Sequence, residues 1–181
     1  NYIRFYDLII SFIILILFFP LIIFTYIICF LETGKPIFIQ KRVGKYKKLF
    51  NLFKFRTMYL DTPSLASHLV NKNSITKFGR ILRLVKIDEL PQLFNVIKGE
   101  MSLVGPRPCL PNQEELIFHR NKYNIFDVRP GITGLAQIKG IDMSDPQKLA
   151  QVDSYMINNL NIISYFKYLI LTFFGKGRGD K

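Results

Sequence analysis

The stretch that decides the fold runs from Ile87 to Pro108 and reads Ile-Asp-Glu-Leu-Pro-Gln-Leu-Phe-Asn-Val-Ile-Lys-Gly-Glu-Met-Ser-Leu-Val-Gly-Pro-Arg-Pro. Its apolar residues recur at helical spacing, and Gly99 follows them as a stop signal. Pro91 falls in the first turn, where proline is tolerated. The pattern predicts a helix that begins near Asp88, with Asp88 as its N-cap and Glu89 favouring the helix dipole.

A cap is the ordinary role of an Asp ahead of an apolar helix, and the local pattern alone does not favour a catalyst. The end of the stretch adds a second charge. Ser102 to Gly105 predicts a short strand, after which Arg107 lies between Pro106 and Pro108. A guanidinium that two prolines pre-position suits bidentate phosphate recognition, and a rigid turn with an exposed arginine explains the same residues.

Length and charge limit the function. The 181 residues suit one compact domain plus an appendage. Lys and Arg number 25 against 13 Asp and Glu, a formal charge of +12, so the expected partner is anionic: nucleic acid, a membrane surface or a phosphorylated substrate. The cysteines and histidines predict neither a disulfide framework nor a zinc site. These isolated residues are Cys29, Cys109, His68 and His119.

An apolar run near the start predicts a membrane segment. No charged residue occurs from Leu8 to Leu31, and the basic residues that follow, from Lys35 to Lys48, predict a cytoplasmic body. Pro20 predicts a break or kink near the middle of the run. With a sharp break each half spans about 18 Å, too short for a bilayer core of about 30 Å, and the segment re-enters one leaflet. A spanning helix with a proline kink is the alternative, which residue physics alone slightly favours.

The rest of the chain predicts short extended segments and helices. Lys54 and Arg56 share one face of a predicted strand, as a phosphate clamp or equally as a solvated basic face. Short strands or irregular segments are predicted between Lys35 and Met58, and then a loop over the site from Asp61 to Asn73. A helix from about Thr76 carries Arg83, and a helix from Pro111 to about Lys122 has Arg120 on a solvated face.

Three segments complete the chain. A Gly-rich loop from Arg129 contains Gly131 and Gly134, and it would let the backbone approach a ligand closely. Asp145 and Pro146 begin a helix to about Asn158, with Asp153 off its core face. The tail from Leu160 to Phe174 is short for spanning, which predicts a helix at the membrane surface or against the body.

Five features in this order resemble the monotopic phosphoglycosyl transferases, a family of bacterial sugar transferases, over nearly the whole chain. They are the Pro-broken apolar start, Lys54-Phe-Arg-Thr-Met58, Asp88-Glu-Leu-Pro-Gln-Leu-Phe-Asn95, Gly105-Pro-Arg-Pro108 and Arg129-Pro-Gly-Ile-Thr-Gly134. The chain departs from the family at Phe19, where many members have Ser, and at Leu135, where Trp is common.

The resemblance implies a helix-rich α+β membrane-associated single domain with short strands and amphipathic interfacial helices. Residues 1–31 would form a re-entrant helix-break-helix, with Pro20 at the break. Residues 32–181 would form a cytoplasmic catalytic domain that ends in an interfacial helix. The implied location is the cytoplasmic face of the bacterial inner membrane.

The implied activity is transfer of a sugar 1-phosphate from a UDP-sugar to a polyprenol phosphate, usually undecaprenyl phosphate, with release of UMP, as the first membrane step of surface glycan assembly. Asp88 would be the nucleophile that forms a phosphosugar intermediate, and Glu89 would support it. Both would bind the Mg²⁺ cofactor. The substrate-binding residues that the motifs imply are Lys54, Arg83, Pro106, Arg107, Pro108, Arg129, Thr133 and Asp153.

A noncatalytic membrane-anchored basic protein that binds anionic lipid or nucleic acid is the competing class. It explains the charge and the apolar ends, but it does not require Asp88 and Glu89 beside a fixed Arg107. The expected partners are therefore a UDP-sugar, a polyprenol phosphate and the membrane, and not nucleic acid.

Overall fold

The computed structural model describes residues 2–62 and 74–175. In this part of the chain helices outweigh short strands, which confirms a helix-rich α+β domain. The helices are α1 Tyr2–Leu17, α2 Phe19–Thr33, α3 Lys77–Val85, α4 Gln92–Lys98, α5 Glu114–Lys122, α6 Leu135–Ile138, α7 Pro146–Asn158 and α8 Ile162–Phe173. The strands are β1 Ile37–Val43, β2 Leu49–Phe55, β3 Ser102–Val104 and β4 Gly131–Thr133.

The predicted break near Pro20 is confirmed. Helices α1 and α2 meet at an angle of 66°, with only Phe18 between them. Pro20 lies in the first turn of α2, where its missing N–H cannot continue the ladder from α1. Within the described ranges no single helix is long and apolar enough to cross a bilayer, whereas the bent pair qualifies by length and composition when both helices are counted together.

The first turns of α1 are attached to the body of the protein. Arg4 donates hydrogen bonds of 2.7 and 3.1 Å to the carbonyls of Val96 and Ile97 in α4. Asp7 is buried, and its Oδ1 accepts from the Ser102 hydroxyl, the Leu103 N–H and the Tyr165 hydroxyl, at 2.8–3.0 Å. Because β3 and α8 supply these donors, α1 packs into the main core.

The predicted short strands between Lys35 and Met58 form an antiparallel hairpin of β1 and β2, in which Gln40 is opposite Leu52. Asn95 of α4 fixes this hairpin: its Oδ1 accepts from the Phe53 N–H at 3.1 Å, and its Nδ2 donates to the Asn51 carbonyl at 2.7 Å. The side chain thus satisfies backbone groups of β2 that pair with no other strand. This contact sets the position of β2 relative to the turn before α4.

The Gly-rich segment differs from the predicted loop. Gly131–Thr133 is a strand, β4, which pairs in parallel with β3, and α6 follows Gly134 directly. A Cβ on Gly131 would overlap the backbone nitrogen of Gly105. The glycines therefore allow a close approach of two strands to each other.

The helices predicted from about Thr76, from Pro111 and from Asp145 are confirmed, with two corrections to their faces. Thr76 caps α3 by accepting from the Gly79 N–H, and Asp145 caps α7 by accepting from the Lys148 N–H. Arg120 of α5 was predicted to be solvated and Asp153 of α7 to lie off the core face, yet they are only 2% and 1% exposed. Each is buried because it neutralises the other, at 2.6 Å.

The tail forms α8. Its Tyr165 and Tyr168 are buried in the main core, whereas Ile163 and Phe173 are exposed on the other side. One face of the helix therefore covers the body, and an apolar face remains uncovered. The predicted loop from Asp61 to Asn73 lies, from residue 63 onward, outside the described residues, and so does His68.

Candidate active site

Asp88 does not cap a helix, which corrects the first expectation. Helix α3 ends at Lys86, whose φ of 60° is left-handed, and Ile87–Glu89 forms a separate 3₁₀ turn. Helix α4 begins only at Gln92, with Pro91 at the N-cap position and no side-chain cap. The backbone reversal at Lys86 thus places Asp88 between two helices, and its carboxylate is not used by the start of either.

Glu89 brings two distant cations together. Its Oε1 accepts from Lys54 Nζ at 2.8 Å and from Arg107 NH2 at 3.3 Å. Lys54 comes from β2, and Arg107 comes from the loop after β3. Burial opposes ionisation of Glu89, but the charges of Lys54 and Arg107 outweigh it and lower its pKa to about 2. Glu89 is therefore ionised at neutral pH and orients both cations.

Asp88 has a different environment. It is 8% exposed, and no residue in the described ranges donates a hydrogen bond to its carboxylate or forms an ion pair with it. Burial raises the pKa of Asp88 to about 6, and the nearby charge of Lys54 limits the rise. A buried carboxylate whose oxygens have no protein donor is suited to act as a nucleophile or as a metal ligand.

A recess collects residues from four of the sequence motifs. The hairpin contributes Lys54, the 3₁₀ turn contributes Glu89, and the segment after β3 contributes Arg107 and Pro108. The described residues that line it are Arg42, Leu52, Lys54, Glu89, Gln92, Arg107, Pro108, Gly131 and Ile132. The cations in this set make the recess suitable for an anion.

Arg83 and Pro106 lie near the recess without lining it. Arg83 donates to the Thr57 hydroxyl at 2.8 Å, and its charge favours the ionised form of Asp88. The Pro106 carbonyl accepts from the Gly131 N–H, and Pro106 lines a neighbouring recess.

Three other predicted substrate-binding residues face elsewhere. Arg129 donates to the Gly99 carbonyl at the far end of α4 from Asp88, at 2.8 Å. Thr133 shares a hydrogen bond with Thr172 of α8, and Asp153 pairs with Arg120. The structure therefore does not bring these three side chains to the recess.

Arg42 is a residue of the recess that sequence reasoning missed. It is buried, its Nε and NH2 donate to the Gln40 Oε1, and its NH1 donates to the Pro108 carbonyl at 3.0 Å. Burial, and then the charge of Arg107, lower the pKa of Arg42 to about 10, so it remains protonated. The sequence feature that could have indicated a contact between Gln40 and Arg42 is their spacing of two residues, because this spacing places both side chains on one face of β1.

The acidic pair fits Mg²⁺ only as part of a larger coordination sphere. Among the described residues there is no group of three or more acidic, His or Cys side chains that would hold a metal ion. Mg²⁺ in phosphoryl-transfer sites commonly takes one or two carboxylates plus substrate phosphates and water. Asp88, which accepts no hydrogen bond from the described protein, and the adjacent Glu89 match that requirement.

The fold and the recess define a small α+β protein whose site suits transfer of a phosphate-containing group. The chain belongs to the bacterial sugar transferase family, whose model matches residues 2–177. This membership confirms the resemblance that the motifs carry and the class of enzyme that it implies, a transferase.

Relatives named as transferases agree with this class. The chain is 40% identical to an uncharacterized sugar transferase, EpsL, of Bacillus subtilis, over 84% of this chain and 75% of that protein. It is 35% identical to the undecaprenyl-phosphate galactose phosphotransferase of Salmonella typhimurium, over 86% of this chain and 36% of the relative. It is 42% identical to the UDP-glucose:undecaprenyl-phosphate glucose-1-phosphate transferase of Caulobacter vibrioides, over 69% of this chain and 49% of that protein. The chain thus spans less than half of the last two proteins.

Proposed function

We propose that this chain transfers a sugar 1-phosphate from a UDP-sugar to undecaprenyl phosphate and releases UMP. The observation that carries the proposal is the acidic pair: Asp88 is buried without a described donor, beside a Glu89 that holds Lys54 and Arg107. The names of two relatives support the substrates, since both specify undecaprenyl phosphate and one specifies UDP-glucose.

The first step uses Asp88 as the nucleophile. A carboxylate oxygen of Asp88 attacks the phosphorus that carries the sugar, and a new P–O bond forms. The bond from that phosphorus to the oxygen that bridges the diphosphate breaks, and UMP leaves with the bridging oxygen and its electron pair. Asp88 then carries the sugar phosphate as an acyl phosphate.

The second step regenerates the enzyme. A phosphate oxygen of undecaprenyl phosphate attacks the same phosphorus, and the P–O bond to Asp88 breaks. The product is a lipid-linked sugar diphosphate, and Asp88 is again a carboxylate. One carboxylate serves both half-reactions for two reasons. At neutral pH it is mostly ionised and can attack the phosphorus, and once phosphorylated it is a good leaving group.

The cations of the recess would stabilise the negative charge of the phosphate groups in both steps. Lys54 and Arg107, fixed by Glu89, would contact the diphosphate oxygens, and Arg42 adds a further positive charge to the recess lining. We propose that Mg²⁺ binds to Asp88 and Glu89 together with the substrate phosphates. When bound, it neutralises charge on the transferred phosphoryl group.

The bent pair is proposed to re-enter one leaflet of the membrane. The start of α1 is bonded to α4 through Arg4, while near the end of α2 the Glu32 carboxylate accepts from the Phe78 N–H of α3. Both ends of the pair are thus attached to one body, whereas a spanning pair would separate them by a bilayer core of about 30 Å. This favours re-entry over a kinked spanning helix, with the body at the cytoplasmic leaflet of the bacterial inner membrane.

The apolar surfaces fit this position. Exposed apolar side chains lie on both arms of the bent pair and on the uncovered face of α8. They include Ile16, Leu17, Phe24 and Leu31 on the pair, and Ile163, Ile170 and Phe173 on α8. Contiguous apolar surface of this kind is a sign of a lipid or protein contact.

UMP release tests the proposed activity. The full chain in detergent, with Mg²⁺, is given a panel of UDP-sugars with and without undecaprenyl phosphate. We expect multiple-turnover UMP release with at least one UDP-sugar, and only when the lipid phosphate is present. No release from any member of a broad panel would favour the noncatalytic lipid-binding class.

Cysteine labelling tests the topology. The native Cys29 and Cys109 are buried, so a cysteine introduced for Tyr2 gives a clean signal. In sealed vesicles with a known orientation, Tyr2→Cys should react with an impermeant reagent from the same side as a cysteine at exposed Lys47. Labelling of the two positions from opposite sides would establish a spanning segment instead.

A further inference from the structure

The Pro-Arg-Pro loop, residues Pro106–Pro108, is held through its carbonyl groups. Two of its three residues lack an N–H, so hydrogen bonds to the backbone of the loop are made mainly through its carbonyl groups. The Pro106 carbonyl accepts from the Gly131 N–H of β4 at 2.9 Å. The next two carbonyls, of Arg107 and Pro108, accept from arginine side chains.

The two arginines come from two different elements of the fold. Arg120 of α5 donates through NH1 to the Arg107 carbonyl at 2.9 Å, and Arg42 of β1 donates through NH1 to the Pro108 carbonyl at 3.0 Å. Both are buried. A charged donor to a buried carbonyl makes a stronger hydrogen bond than a neutral one, so these contacts restrain the loop.

Each arginine is itself oriented by one acceptor. Asp153 Oδ2 accepts from Arg120 NH2 at 2.6 Å, and Gln40 Oε1 accepts from both Nε and NH2 of Arg42. Two chains of contacts result. One runs from Asp153 through Arg120 and the other from Gln40 through Arg42, and both end on the loop whose side chain reaches Glu89.

We infer that Arg42 and Arg120 together form a clamp on the Pro-Arg-Pro loop, and that Gln40 and Asp153 are positioning residues that hold the clamp so that Arg107 stays on Glu89. Asp153 accordingly acts through Arg120 and Arg107, without touching the substrate. This inference rests on the proposed function for its effect on rate. The restraint on the loop does not depend on it.

Gln40 gives the milder test, because it is neutral, whereas replacing Asp153 would leave the buried Arg120 guanidinium without its counter-charge. Gln40→Met keeps the length of the side chain and removes the acceptor of Arg42, whereas Gln40→Glu keeps an acceptor. We expect Gln40→Met to lower kcat/KM for the UDP-sugar about tenfold, the size of one hydrogen bond to a charged group, and Gln40→Glu to restore it. The matched control is Gln147→Met at an exposed position of α7, which should keep the wild-type rate.

Double variants separate positioning from general structural damage. Arg107→Gln sets the baseline, and Gln40→Met and Asp153→Asn are each combined with it. If both act through Arg107, each double variant is about as slow as Arg107→Gln alone. Losses that multiply, so that a double variant is slower than Arg107→Gln by the full factor of the second change, would overturn the inference.

Hydrogen exchange tests the clamp without activity. In the detergent-solubilised full chain, the amides of Arg107, Cys109 and Leu110 should exchange faster in Gln40→Met and Asp153→Asn than in wild type or Gln147→Met. Unchanged amide exchange in Gln40→Met would overturn the proposed clamp. This result decides the test by itself, even if Asp153→Asn does not fold. A wild-type protein without UMP release contradicts the proposed function, yet the exchange result still decides the clamp.

Discussion

Asp88 and Glu89 are neighbours in the chain, but their carboxylates have opposite surroundings. Glu89 accepts from Lys54 and Arg107 through one oxygen, whereas no described residue donates to Asp88. The 3₁₀ turn after Lys86 produces this difference, because two successive side chains on the turn have different surroundings. One carboxylate organises the cations, and the other remains available for chemistry.

Asp88→Asn should abolish turnover. The amide keeps the shape of the side chain but has no carboxylate to form an acyl phosphate, so UMP release should fall on the order of 10⁴-fold or more. Intact-protein mass spectrometry should show a sugar-phosphate adduct on wild type given UDP-sugar alone, and none on the variant. The exposed Asp127→Asn serves as control and should behave as wild type. A variant with half the wild-type rate would rule out Asp88 as the nucleophile.

Lys54→Met should reduce activity without unfolding the protein. The change removes the closer of the two cations on Glu89 and one positive charge from the recess, so kcat/KM should fall about a hundredfold, as for the loss of one transition-state donor. Lys41→Met is the matched control, because Lys41 lies on β1 of the same hairpin and is exposed. Equal losses in the two variants would show that net charge, rather than the position of Lys54, matters.

Metal removal should stop the reaction reversibly. Chelation with EDTA should abolish UMP release, and added Mg²⁺ should restore it, because the acidic pair offers only part of a coordination sphere. Thermal unfolding gives a second readout: Mg²⁺ and UDP-sugar together should raise the midpoint more than the sum of their separate effects. Additive shifts would indicate that metal and nucleotide do not share a site.

Gly131→Ala should destabilise the protein strongly. The added methyl would overlap the backbone of Gly105, and backbone cannot move aside as a side chain can, so we expect a cost of about 3 kcal/mol or more, at the upper end for overpacking. Gly34→Ala is the comparison. Gly34 has a φ of 70° but open space around it, so its cost should be only about 1 kcal/mol. Thermal unfolding of both variants in detergent checks whether Gly131→Ala is the less stable one. Equal unfolding midpoints would refute this expectation.

Local features of the sequence predicted much of the secondary structure. The helix starts near Thr76 and at Asp145 and the stop at Gly99 were correct, because such signals depend on residues within one helical turn. The helix start at Asp88 was wrong for a related reason. The left-handed Lys86 separates the acidic pair from α4, and a lysine gives no local signal for that conformation.

Buried charge pairs were beyond local reasoning. Arg120 follows Leu116 by four residues and so shares its buried face, but an unpaired arginine is ordinarily exposed, and its partner Asp153 lies on another helix, 33 residues away in the chain. Long separations in the chain also hid the contact of Arg42 with Pro108 and the contacts of Asp7 with β3 and α8. Arg129 and Thr133 show the converse, since matching a motif did not place their side chains in the recess.

The sequence by itself determined the break near Pro20, the short strands before Met58, most helix ends, and the residue types of a phosphoryl-transfer site, because each depends on backbone preferences and spacing over a few residues. Only the tertiary structure decided which cations meet Glu89, that Asp88 has no described donor, and that both ends of the bent pair attach to one body. Those facts depend on contacts between residues far apart in the chain, which form only when the helices and strands pack.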